Sequence, residues 1–132
     1  MCVFCKIING EIPSFKIYET EDLVAFLDIS QATPGHTLIV PKKHFENLLA
    51  LDEETLKKIS VAQKEVANIL SKKLGTTSFN FVNNCGATVG QSVMHVHFHV
   101  IPRYENDDFK MHIVEHEPNF EELGKLHKKI TE

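Results

Sequence analysis

Three histidines at every second position dominate the chemistry available to this chain: His95, His97 and His99 in the run His-Val-His-Phe-His-Val-Ile. On a β-strand, side chains alternate between faces. The three imidazoles therefore share one face, and Val96, Phe98 and Val100 share the other. Two chemistries suit such a row. Residues two apart on a strand can chelate one ion, and three histidines suit a catalytic zinc. Alternatively the imidazole acts itself, as nucleophile and acid or base, because it titrates near neutrality and can attack phosphorus. Spacing alone leaves both open.

A second candidate cluster opens the chain. Cys2 and Cys5 form a Cys-x-x-Cys pair, a spacing shared by redox motifs and zinc sites. The βαβ unit expected around a redox pair is absent. Cys85 stands alone in a turn-rich loop and reads as an incidental thiol. No basic start followed by an apolar stretch marks the N-terminus as a secretory signal, so a cytoplasmic location is expected; disulfides are rare there.

The elements that must position these groups read as follows. A helical turn covers Val3 to Ile8 and stops at Asn9-Gly10. Strands run over Phe15–Tyr18, Leu23–Ile29, His36–Pro41, Phe79–Asn84 and Val93–Pro102, with Pro34 and Gly35 turning the chain between the second and third. One long helix spans Glu53 to Leu74. Asp52 caps it, acidic residues start it, Lys72 and Lys73 end it, and Gly75 stops it. Leu56, Ile59, Val66, Ile69, Leu70 and Leu74 form its apolar stripe. A short closing helix is expected from Pro118 to Lys129. Three strands, a long helix and two strands make an α+β fold, with an antiparallel sheet and the helix on one face.

The bulk numbers agree. The 132 residues, 42% hydrophobic and 24% charged, suit one globular domain over 1–132. No apolar run reaches about 18 residues, so no membrane partner is expected. The net charge of −4 argues against a nucleic-acid polymer as partner, but not against a small anion held by histidine and backbone N–H groups.

The triad resembles the His-φ-His-φ-His-φ-φ signature (φ apolar) of the histidine-triad (HIT) proteins. Gly90-Gln91-Ser92-Val93 before it and Ile101-Pro102-Arg103 after it resemble that family too. So do His36 to His44 and the opening Cys2 to Ile8. The likeness runs from Cys2 to about Arg103. It implies nucleotidyl transfer, with His97 as the nucleophile attacking the α-phosphorus of a nucleoside phosphate. A backbone carbonyl of the same strand, that of His95, would hold the His97 tautomer. His99 and His36 would contact the phosphate, and Gln91 and Ser92 would lie near the scissile bridge. Gly90 would offer backbone N–H groups. Asn84, or Asn83 if the register slips by one, would contact the phosphate or ribose. Asp28 would accept the ribose hydroxyls. Phe4, Ile12, Phe26 and Ile29 would frame the base.

The same resemblance implies one structural zinc per chain, held by Cys2, Cys5, His44 and His95, and a homodimer whose two sheets join. The function it implies is hydrolysis of a nucleoside phosphoramidate or related nucleoside phosphate, releasing a purine mononucleotide, with an adenosine phosphoramidate as the partner molecule. Three alternatives stand beside it: a diadenosine polyphosphate hydrolase, a nucleotide sensor with little turnover, and a metal hydrolase using all three triad histidines.

Overall fold

A computed structural model describes residues 2–132. The elements are α1 (Val3–Ile8), β1 (Lys16–Glu19), β2 (Leu23–Leu27), β3 (Thr37–Pro41), α2 (Glu53–Leu74), β4 (Phe79–Val82), β5 (Phe98–Pro102) and α3 (Phe120–Thr131). The strands form one sheet in the order β1-β2-β3-β5-β4, and every neighbouring pair is antiparallel. The fold is the expected α+β arrangement. No helix among the described residues is long and apolar enough to cross a membrane.

The two faces of the sheet carry different loads. On one, Leu23, Ala25, Ile39, Phe98 and Val100 pack against Ile59, Ala62, Val66, Ala67 and Leu70 of α2. On the other, Val24, Phe26, Leu38 and Val40 pack against Phe4 and Ile7 of α1. Period-two alternation assigns each strand residue to one of these layers. Helix α2 keeps its expected ends: the Asp52 carboxylate accepts the Thr55 N–H, and Gly75 adopts the left-handed conformation. Its stripe differs in detail. Ala62 and Ala67 are buried, Ile69 is half-buried and Leu74 is 44% exposed.

Several boundaries depart from the sequence reading. Strand β2 stops at Leu27, because Asp28 already turns the chain, with its carboxylate accepting the Ser30 N–H. Strand β4 stops at Val82. The largest departure is β5, which begins at Phe98 and not at Val93. The reason lies in the carbonyls just before it. His95 O faces the His97 ring, and His97 O accepts from the Asn83 side chain. Both carbonyls meet side chains just before the strand register begins at Phe98. The Val96 N–H bonds instead to Phe45 O.

The C-terminal helix is also not a closing element. None of the α3 residues is buried, and Phe120, Leu123, Leu126 and Ile130 are exposed. The folded core ends at a clamp: the Arg103 guanidinium forks onto the Asp107 carboxylate and also reaches Asn80 Oδ1 and Phe109 O. Asp107 is held well below the usual carboxylate range by Arg103 and by the Tyr104 N–H.

The β2–β3 turn depends on Gly35. Its φ is +97°, and an added Cβ would lie 2.6 Å from Leu74 Cδ1 and 3.0 Å from Pro102 Cγ. Gly35→Ala should therefore lower the free energy of unfolding by about 1–3 kcal/mol, from a strained φ and a contact that must yield. Chemical denaturation measures this, and an unchanged midpoint would mean that the turn accommodates a side chain.

Candidate active site and metal centre

The α1 face of the sheet opens into a cleft of about 550 Å³. Phe26 and Leu38 pair across β2 and β3, and Leu38 pairs with His99 across β3 and β5, so all three project into this layer. Phe4, Phe26, Ile12, Ile29, Asp28, Asn84, Gly90, Ser92, His97 and His99 line the cleft. The four apolar residues among them are the candidate base contacts. Phe15 and Leu38 line the cleft as well. Neither was singled out from sequence, although the alternation of β3 puts Leu38 on the face of His36. Ile29 is fully exposed, whereas Phe4 and Phe26 are buried and meet edge to face at 5.7 Å.

Histidine protons can be placed from the fixed groups around them. The His97 Nδ1 lies 2.8 Å from the His95 carbonyl. A carbonyl only accepts, so Nδ1 carries the proton. Nε2 then keeps its lone pair as the ring's nucleophilic atom. His97 is buried and packs edge-on to Phe4 at 5.0 Å, which fixes the ring plane.

His99 takes the opposite tautomer. The Ala32 N–H donates to His36 Nδ1 at 3.1 Å. A neutral His36 must therefore carry its proton on Nε2, which lies 2.9 Å from His99 Nδ1. His99 Nδ1 accepts it, so His99 holds its own proton on Nε2. Burial favours the neutral rings. It pushes His99 down to about 4, helped by the neighbouring His97 and His36, and lowers His36 against the opposing pull of Asp28. A lone pair on His97 and an N–H on His99, with ring centroids 5.2 Å apart, make a nucleophile beside a donor.

Two expected site residues stand elsewhere. His36 is buried against His99 and is not among the residues that line the cleft. Gln91 is buried, with its amide bonded to Glu46 O, Val93 O and the Gly86 N–H. It braces the loop with both amide hydrogens engaged. Gly90, with φ +94°, and Ser92 line the cleft beside it. Of the two asparagines, Asn84 lines the cleft and Asn83 holds the His97 carbonyl. Asp28 sits at the cleft wall, 3.8 Å from His36 Nε2. Burial would raise its pKa, yet the Ser30 hydroxyl and N–H outweigh that and hold it low, as a carboxylate.

Cys2, Cys5, His44 and His95 converge into a set that could hold a metal ion. The sulfurs are 3.2 Å apart, and His44 Nδ1 and His95 Nδ1 are 3.1 Å apart. Sulfur-to-nitrogen distances run from 3.3 to 3.6 Å. His95 is fully buried, with Nε2 2.9 Å from the Pro41 carbonyl. The proton goes to Nε2 and the Nδ1 lone pair faces the cysteines, as a ligand requires. Burial keeps that ring neutral. Burial and Cys2 also push the Cys5 thiol up, so a pair of thiolates here calls for a cation.

Asp28, His36 and His99 also crowd together with metal-ligand atom types. Their protons argue against a metal. To ligate through Nε2, His36 would need a proton on Nδ1, where the Ala32 N–H already points. Within it, the Ala32 N–H, His36 and His99 form a hydrogen-bonded chain, with Asp28 nearby at 3.8 Å.

Comparison with known proteins agrees with this geometry. The HIT domain family matches residues 9–106. An adenosine 5′-monophosphoramidase of Saccharomyces cerevisiae is 42% identical over 130 residues, which cover 98% of this chain and 80% of that protein. A crystal structure of a HIT family member from Bacillus subtilis superposes with a TM-score of 0.89 at 41% identity, covering 98% of this chain and 94% of that one. A zinc-bound histidine triad family protein from Mycobacterium smegmatis superposes with a TM-score of 0.79 at 34% identity, covering 97% and 91%. This chain, with His97 and His99 lining one cleft and His95 turned to the cysteines beside it, belongs to the HIT domain family.

Proposed function

We propose that this chain, as one domain, hydrolyses adenosine 5′-phosphoramidates or closely related nucleoside phosphates through a covalent nucleotidyl-histidine on His97. The observation that carries the reading is the pair of opposed tautomers in the cleft. His97 Nδ1 is held by the His95 carbonyl and His99 Nδ1 by His36. The phosphoramidase names of relatives from Saccharomyces cerevisiae and Candida albicans support the substrate class.

The chemistry runs in two displacements. His97 Nε2 attacks the α-phosphorus, a nitrogen–phosphorus bond forms, and the bond from phosphorus to the leaving amine breaks. The amine takes a proton from water held at the cleft mouth, where the exposed Ser92 can orient it. The His99 N–H stabilises the charge on the phosphoryl oxygens. Water then attacks phosphorus, the bond to His97 breaks, and a nucleoside monophosphate leaves with a proton passing to solvent. Asp28 is the reader of the ribose hydroxyls, and the apolar residues of the cleft take the purine.

His97→Ala should cut turnover by about 10³-fold or more, a barrier change of about 4 kcal/mol, while adenosine monophosphate still binds. Wild-type enzyme mixed with substrate and quenched in acid-free conditions should show the nucleotidyl mass on the His97 peptide. Retention of a tenth or more of wild-type turnover by His97→Ala would remove it as nucleophile. Equal rates on ribo- and 2′-deoxyribo-substrates would remove Asp28 as ribose reader.

We further propose that the metal is zinc, one per chain and structural. Two thiolates with two imidazoles form a closed tetrahedral set that suits zinc and leaves no open position. When bound, the ion supplies a tie between α1, the segment after β3 and His95. Elemental analysis of protein purified without added metal should give zinc near one per chain. Cys2→Ser with Cys5→Ser should lower the melting temperature by several degrees and reduce activity only in part. Zinc-free protein with reduced thiols would sink this assignment.

A homodimer completes the proposal. The uncovered apolar stripe of α3 and the open sheet edges at β1 and β4 are surfaces that a second copy can cover. Light scattering should give a mass of two chains, and Leu126→Asp should shift it toward one. A monomer at micromolar concentration would end the dimer reading.

A further inference from the structure

Gln31 is the one non-glycine residue with positive φ among those described, at +43°. That region disfavours side chains other than those of glycine and, less so, Asn and Asp. Something must over-determine it here, and the side chain does. The Gln31 Nε2 donates to Asp28 O at 2.6 Å and to His36 O at 2.7 Å. Its Oε1 accepts the Gly35 N–H at 2.8 Å. The amide orientation is fixed, because the reverse would aim an oxygen at two carbonyls. One side chain thus binds both ends of the 28–36 turn from inside.

The next residue shows what the turn is for. In this conformation the Ala32 N–H points back across the turn onto His36 Nδ1. That single donor decides which nitrogen of His36 keeps a lone pair, and through it which nitrogen of His99 does. Without it, His36 could protonate Nδ1 and accept at Nε2. His99 would then donate from Nδ1, and a lone pair at Nε2 would replace the N–H available to phosphate oxygens. Asp28, 3.8 Å from His36 Nε2, biases the proton the same way but too distantly to hold it alone. Thr33 and Pro34 moor the far side of the turn, Thr33 through Pro102 O and Pro34 through the Tyr104 hydroxyl. The turn is therefore anchored against the strand that bears His99.

We propose that Gln31 is a positioning residue that directs the His99 proton into the cleft, acting through the Ala32 N–H and His36. The proposal rests on the reading that the His99 N–H serves the phosphate. It makes a claim about proton position that stands apart from any substrate.

The test uses ¹⁵N-labelled full-length protein and two-bond ¹H–¹⁵N spectra of the imidazoles near pH 7.5. Wild type should show protons on Nε2 of His36 and of His99, and on Nδ1 of His97. Gln31→Gly keeps the positive φ at no strain and removes the staple. Gln31→Met keeps the side-chain length and removes every hydrogen bond. In both, His36 and His99 should shift to mixed or reversed tautomers while His97 does not. The kcat on an adenosine phosphoramidate should fall about tenfold or more, with KM changed less than threefold. Wild-type protons on Nδ1 of His36 or His99 would overturn the proposal. So would wild-type tautomers in either variant. A wild-type protein that shows the stated tautomers but turns over no phosphoramidate would refute the proposed function and leave this assignment standing.

Discussion

The His95 carbonyl lies 2.8 Å from His97 Nδ1, where the backbone bends before β5, and this bond constrains much of what surrounds it. For that carbonyl to face its own neighbour's ring, the chain must leave the sheet ladder before Phe98. That is why β5 is shorter than the apolar alternation suggests. The carbonyl of His97 then also lacks a strand partner, and Asn83 supplies one at 3.0 Å. A buried carbonyl without a partner would cost about 1–3 kcal/mol, so Asn83 is part of the stability of the His97 segment. The Gln91 brace follows from the same constraint. A segment outside the ladder needs another anchor, and the Gln91 amide ties it to Glu46 O and to the Gly86 turn. Residues around His97 thus act mainly as substitutes for missing sheet bonds.

Phe4 joins the two centres of the molecule. Its ring lies edge-on to both His97 at 5.0 Å and His95 at 5.9 Å, and it packs on Phe26 in the cleft. It belongs to a helix of only six residues, too short to be stable alone. The Cys2 thiol caps that helix by accepting the Cys5 N–H. The same two cysteines face His44 and His95. The cysteine cluster therefore positions Phe4 through α1, and Phe4 positions the ring of His97. A metal bound there would brace the His97 ring through α1 and Phe4.

Much of this was legible from the residues, and the rest was hidden for identifiable reasons. Strict alternation at His95 to Val100 located the shared imidazole face, because a two-residue period survives even where the ladder hydrogen bonds do not. The long helix was legible from Asp52, Gly75 and its stripe, and the candidate metal-ligand set from the family resemblance. His36 was less so. Its place near the triad was visible, but its position behind His99 depends on the depth of the β2–β3 turn, which no local pattern encodes. Gln31, Ala32 and Asn83 act through or upon backbone groups, and a backbone N–H leaves no mark in a sequence. Gln91 drew attention for its neighbours and proved to serve the loop. The C-terminal helix has caps and an amphipathic stripe, yet those features specify a helix and say nothing about what covers it.

Two clusters of histidine with acidic or thiol partners lie on the same sheet face, built from similar atoms at similar spacings, and their chemistry diverges at one atom each. His95 has a carbonyl, Pro41 O, behind it. The carbonyl draws the proton to the far nitrogen and leaves a lone pair facing the cysteines. His36 has an N–H, that of Ala32, behind it. The N–H takes the far lone pair and forces the proton toward His99. An acceptor behind the ring makes a metal ligand, and a donor behind the ring makes a proton donor. The side chains in the two clusters do not by themselves distinguish these outcomes. The distinction is made by the end of β3 in one case and by a turn held at positive φ in the other. In this fold the backbone, more than the histidine count, decides which nitrogen of each imidazole carries the proton.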